Sequence, residues 1–169
     1  THLYAGCYLV ITGLATLVLA TVQATRFAPT PSRRAARGGR SLAAIVRQPR
    51  FLVALASAAV GQSAMSFLMV STPLAMLGCG HAFTDATTVI QWHVLGMFAP
   101  SFVTGSIIQR FGASPVIAAG AGLILAAVAV GTQGLGFGHF WLGLVLVGVG
   151  WNFMYVGGTT LLRSEERRV

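Results

Sequence analysis

A few polar side chains stand inside long apolar runs of this 169-residue chain, at spacings that bring them together. Gln62 and Ser66 are four residues apart, with Met65 and Met69 beside them. On a helix that spacing puts them on one face, which is then polar and adaptable. Trp151 and Tyr155 repeat the interval, with Asn152 one position round. An unpaired amide in hydrocarbon costs several kcal/mol, so Gln62 must face protein or water. It either makes an interhelical hydrogen bond or serves a functional cavity. Aromatic residues at membrane depth, away from the headgroup belt, point to a cavity or a helix crossing. His93 is the histidine best placed to enter an apolar run. Its ordinary pKa of about 6.5 suits proton exchange, and ionisable residues inside a membrane are functional candidates by default. Because it follows Trp92 near an interface, simple anchoring is open as well.

Catalytic chemistry finds no comparable footing. There is no His-Glu-x-x-His, no Gly-x-Ser-x-Gly, no phosphate-cradling glycine loop and no pair of carboxylates within the apolar runs. Cys79, His81 and Asp85 are ligand types, but their spacing matches no zinc motif and reads as an ordinary polar loop. No enzyme activity, no catalytic residue, no metal and no cofactor is therefore expected. Cys7 and Cys79 both fall near the outer side, where a disulfide or plain packing would suit them.

The elements that must position these residues follow from composition. Hydrophobic residues make up 55% of the chain and charged residues 8%, and the mean hydropathy is +0.77. Soluble domains carry about 25% charged residues, so the solvent here must largely be lipid. Apolar runs over residues 3–22, 51–77, 91–112, 116–133 and 140–162 predict an all-α, polytopic bundle of five transmembrane helices. The third is expected to be capped at Thr84 or Asp85, and Pro73 to bend or end the second. The fourth, rich in alanine and glycine, is suited to close helix packing.

The formal charge of +8 sets eleven basic residues, all arginine, against three acidic ones. If the runs alternate across a membrane, every arginine falls on one side, the positive-inside pattern that marks it as cytoplasmic. The N-terminus of the chain is then outside and the C-terminus cytoplasmic. Nucleic-acid binding would need basic residues on a folded polar surface with stacking aromatics, and none is available. The stretch from Thr25 to Arg50 is basic and Pro/Gly-rich, a flexible linker with room for a short surface helix over residues 41–47. The chain begins with threonine and without a charged n-region, as though inside a longer protein.

Several segments together resemble the major facilitator superfamily of secondary transporters, over its helices six to ten. The basic loop sits where that family joins its two halves. Arg47-Gln48-Pro49-Arg50-Phe51 looks like the entry to the seventh helix, and residues 65–76 are similar to its body. Gln91 to Ser101 resembles the eighth helix of a bacterial permease subgroup. Gly105-Ser106-Ile107-Ile108-Gln109-Arg110-Phe111-Gly112 resembles the Gly-x-x-x-Asp-Arg-x-Gly loop signature, with Gln109 in place of the aspartate and no basic pair after Gly112.

The resemblance implies a division into residues 1–23, a transmembrane helix ending the N-terminal half; 24–50, the cytoplasmic interdomain loop; and 51–169, the first four transmembrane helices of the C-terminal half. It implies transport of a small solute across a bacterial inner membrane by alternating access. The second and fifth runs would then line the path, making Gln62, Ser66, Trp151, Asn152 and Tyr155 the substrate-cavity candidates. His93 is the proton-coupling candidate, and Gly105, Arg110 and Gly112 form the gating loop. The expected partners are the lipid bilayer, a small-molecule substrate, a proton and the remaining helices of the transporter. The competing reading is a small, non-transporting membrane scaffold or assembly partner that binds other helices through its glycine faces.

Overall fold

The computed structural model describes residues 5–24 and 46–166. Among them are six helices and no strand: α1 (Ala5–Ala24), α2 (Pro49–Gly78), α3 (Phe83–Phe98), α4 (Ser101–Phe111), α5 (Ala113–Gly131) and α6 (Phe137–Glu166). The architecture is all-α, as the apolar runs predict. The basic linker over residues 25–45 lies outside the described residues, as does most of the surface helix expected there.

The chain divides into two units, residues 1–39 and 40–169. In the first, α1 is 20 residues of apolar sequence, about 30 Å at 1.5 Å per residue. Its Leu14, Leu17 and Val18 are exposed, and Thr16 donates its hydroxyl to the Thr12 carbonyl at 2.8 Å. That back-bond removes a polar hydrogen from the apolar surface.

In the second unit, α2, α5 and α6 are long and apolar enough to cross a membrane. Pro49 opens α2 at its first turn, where its missing N–H is no loss, and Gln48 before it is extended. Pro73 does not end this helix, which continues to Gly78. The expected third span differs more. It begins at Phe83, where the Asp85 carboxylate accepts the Ala82 N–H at 3.2 Å, and it breaks after Phe98. Pro100, lacking a donor, leaves the Gly96 carbonyl without its partner one turn on. The run is therefore two helices, α3 and α4, each too short to cross alone.

Most tertiary contact is made by α6 with α2, α3 and α5. Its glycines let backbones meet. A Cβ at Gly148 would lie 2.6 Å from the His93 carbonyl on α3, and one at Gly150 would lie 2.7 Å from the Gly120 carbonyl on α5. Gly158 sits against Ser57 and Ala54 of α2 in the same manner. Such small-residue seams replace the bulky interior of a soluble domain, because lipid supplies no hydrophobic drive between helices. The larger side chains point outward, Phe102 being 90% exposed and Phe67 71%. One tight apolar cluster, Met76, Ala86, Val89 and Leu144, closes the end of the bundle near Gly80.

Gly158 faces Ala54 while Trp151 faces Gln62, so α2 and α6 run antiparallel. His93 against Gly148 and Thr104 against Asn152 make α3 and α4 parallel to α6. Arg50, Arg110 and Arg163 consequently share one end of the unit, and His81 and Asp85 the other.

Candidate functional site

Halfway along α2 and α6, four polar or aromatic side chains form a patch on the outer face of the unit. The Trp151 indole N–H donates to Gln62 Oε1 at 3.1 Å, and Gln62 Nε2 donates to Ser66 Oγ at 3.4 Å. Tyr155 stacks on Trp151 with ring centroids 4.9 Å apart and planes within 10°. Spacing of four along each helix puts these groups in register, and the antiparallel packing of α2 on α6 joins the two pairs. Gln62 and Ser66 are exposed, Trp151 is half-buried and Tyr155 is 46% exposed. In a hydrocarbon setting an exposed amide and hydroxyl at mid-helix must be covered by protein or wetted. The patch can therefore bind: it offers one aromatic face, an amide and a hydroxyl toward whatever occupies the space beside it.

Asn152 is set apart from the other four. One residue round the helix, it is only 2% exposed and points toward the break between α3 and α4. Its Nδ2 donates to the Met97 carbonyl at 2.7 Å and to Ser101 Oγ at 2.6 Å. Its Oδ1 lies 2.8 Å from Thr104 Oγ1, which also reaches the Pro100 carbonyl at 2.7 Å. Since a carbonyl can only accept, the amide must stand with nitrogen toward Met97. Its hydrogen-bonding groups are engaged within the bundle, which leaves Asn152 a linking role there.

His93 is fully buried between α3 and α6. Its Nδ1 meets the Leu144 carbonyl at 2.7 Å and so carries the proton, while its enclosed Nε2 has no partner. Trp92, beside it, packs edge-on against Trp141 with centroids 5.7 Å apart. In the segment expected to form the gating loop, Gly112 adopts φ +89°, a conformation open chiefly to glycine, and its N–H caps Ile108. Gly105 has open space around it, and Arg110 is exposed above the Phe111 ring.

Sequence reasoning missed Ser101 and Thr104, although a proline followed within one turn by two hydroxyl residues was the available signal. A cleft of about 290 Å³ lies between α2, α5 and α6, lined by Leu68, Thr72, Ala127, His139 and Leu144 among others. It contains none of the cavity candidates. Cys79 is free and exposed, while the side chain of Cys7 lies outside the described residues.

Comparison with known proteins finds transporters. Over 124 residues, 73% of the chain, the sequence is 44% identical to the riboflavin transporter RfnT of Brucella anthropi. The uncharacterized MFS-type transporters YddS and YdeG of Bacillus subtilis are 37% and 36% identical over 105 and 103 residues. The chain is similar to transporters of the major facilitator type. It spans 31% of the length of RfnT and 24% of YddS and YdeG. No family model matches the chain, and no solved structure does. Its relatives are transporters, and its apolar helices are those of a membrane protein.

Proposed function

We propose that this chain supplies part of the solute path of a bacterial inner-membrane secondary active permease working by alternating access. The observation that carries this reading is the polar and aromatic patch exposed halfway along two apolar helices. Transporters of this kind place substrate near the bilayer midplane between two helical repeats, and the exposed patch is a surface that a second repeat would face. In this reading Gln62, Ser66, Trp151 and Tyr155 contact solute. The chain corresponds to helices six to ten, with residues 24–50 joining the halves and residues 51–169 opening the C-terminal half. The α3–α4 pair acts as one broken spanning helix. The arginines of the described residues at one end support a cytoplasmic position for that end.

The aromatic face of Tyr155, backed by Trp151, suits a flat heteroaromatic solute, because offset ring stacking adds to area burial. The riboflavin transported by the Brucella relative is the first solute to test. His93 is the proposed proton-exchange group, supported by the free lone pair on its enclosed Nε2. The decisive experiment is riboflavin uptake into cells that depend on external riboflavin, expressing the protein at its native length. Uptake abolished by Tyr155→Ala and reduced by Gln62→Ala is expected. Uptake unchanged in both variants overturns the assigned path, and no uptake by the unaltered protein overturns the solute.

A further inference from the structure

Trp151 and Asn152 are neighbours on α6 that reach in different directions. The first binds Gln62 on α2 at 3.1 Å, and the second binds Met97, Ser101 and Thr104 around the α3–α4 break. At that break Ala99 (φ −58°, ψ −41°) and Pro100 (φ −63°, ψ −22°) keep helical torsions. The hydrogen-bond ladder nevertheless changes step. Phe102 N–H reaches the Ala99 carbonyl at 3.4 Å, and the Val103 and Thr104 N–H groups both turn to the Pro100 carbonyl, at 2.9 and 2.8 Å. A continuous α-helix would instead keep one bond per residue at four-residue spacing. The carbonyl of Met97, one residue beyond the partner that Pro100 cannot bond, takes up the Asn152 amide. One side chain of α6 thus holds both lips of the break, Met97 on α3 and Ser101 with Thr104 on α4.

We infer that the Ala99–Pro100 break is a hinge whose angle Asn152 sets, and that Trp151 ties this hinge to the exposed patch on α2. Proline-induced loss of a ladder bond makes the break a point where two helix segments can change angle at low cost. Closing the angle is compatible with the Asn152 bonds as they stand. Opening it pulls Met97 away from Ser101 and breaks at least one of them. Asn152 and Trp151 share one backbone, so a shift of the indole that follows Gln62 moves the amide too. The patch and the hinge are therefore mechanically one device, and α4 with its Gly112 turn is the moving arm. Asn152 is a positioning residue for that arm and touches no solute. The inference holds whatever solute the patch binds.

The test measures the hinge directly and uses no transport assay. Spin labels at Thr84, at the start of α3, and at Gln109, near the end of α4, report their separation by pulsed electron resonance in the native-length protein. Both positions are exposed. The unaltered protein is expected to give one narrow distance distribution, and Asn152→Leu a broadened or double one. Trp151→Phe, which keeps an aromatic ring and removes the N–H, is expected to broaden the distribution although the bond it removes runs to Gln62 on α2. Pro100→Ala restores the missing donor, so Pro100→Ala with Asn152→Leu should return a narrow distribution even where Asn152→Leu alone fails to fold. A distribution unchanged by Asn152→Leu overturns the hinge, as does a double variant as broad as the single one. A distribution that responds to Asn152→Leu but not to Trp151→Phe overturns the coupling to the patch.

Discussion

The bond from Trp151 Nε1 to Gln62 Oε1, 3.1 Å long, joins two side chains that lie 89 positions apart in the chain. It satisfies the indole donor, which a buried or lipid-facing tryptophan otherwise leaves unpaired. It also orients the amide, so that its nitrogen faces Ser66. One contact thereby determines which groups of the patch are available to a ligand.

Removing that contact without removing the ring should be measurable. Trp151→Phe leaves Gln62 Oε1 without its donor, and an interhelical hydrogen bond in a membrane is worth about 0.6–2 kcal/mol. A small fall in thermal unfolding midpoint in detergent is expected, with a several-fold weaker apparent affinity for solute. Gln62→Leu in the same background should add little further loss of stability, since the pair shares that bond.

Gly148 offers a sharper test of packing. A Cβ there meets the His93 carbonyl at 2.6 Å and the Met97 nitrogen at 3.1 Å, both backbone atoms that cannot rotate away. Gly148→Ala should force α3 from α6 and cost about 1–3 kcal/mol. Gly122, where an added Cβ meets nothing within 4 Å, is the control. Gly122→Ala should be neutral, or stabilising by up to about 1 kcal/mol through helix propensity. Equal melting behaviour of the two variants would contradict the seam.

His93 separates a proton role from a packing role. His93→Asn keeps a donor of similar reach toward the Leu144 carbonyl and removes the titratable ring. If His93 exchanges protons, the folded variant should lose the uptake that a proton gradient drives while retaining equilibrium exchange of solute. Full gradient-driven uptake by this variant would assign His93 to packing alone.

Orientation can be checked in intact cells. Single cysteines replacing Arg37 and Arg167 should be shielded from a membrane-impermeant thiol reagent, and one replacing Thr84 should react, in a background lacking Cys7 and Cys79. Labelling at position 37 would reverse the assigned sides.

The helical, membrane-embedded character was legible from composition and from the placement of arginine. Transfer free energy and the cost of unsatisfied backbone act on each segment separately, without reference to its neighbours. The pairing of Gln62 with Ser66, and of Trp151 with Tyr155, was legible too, because it needs only the helical repeat.

Tertiary structure decided what those residues meet. Asn152 shares a sequence neighbourhood with Trp151, yet a step of about 100° round α6 sends it to another helix. Which way each points depends on the glycines that seat α6 against three neighbours at once, and no local rule contains that arrangement. The same holds for His93, whose partner is a backbone carbonyl 51 residues away. The break at Ala99–Pro100 is similar in kind. A proline within a helix can bend it, as at Pro100, or be carried through, as at Pro73. At Pro100, Asn152 from α6 binds the groups on both sides of the break.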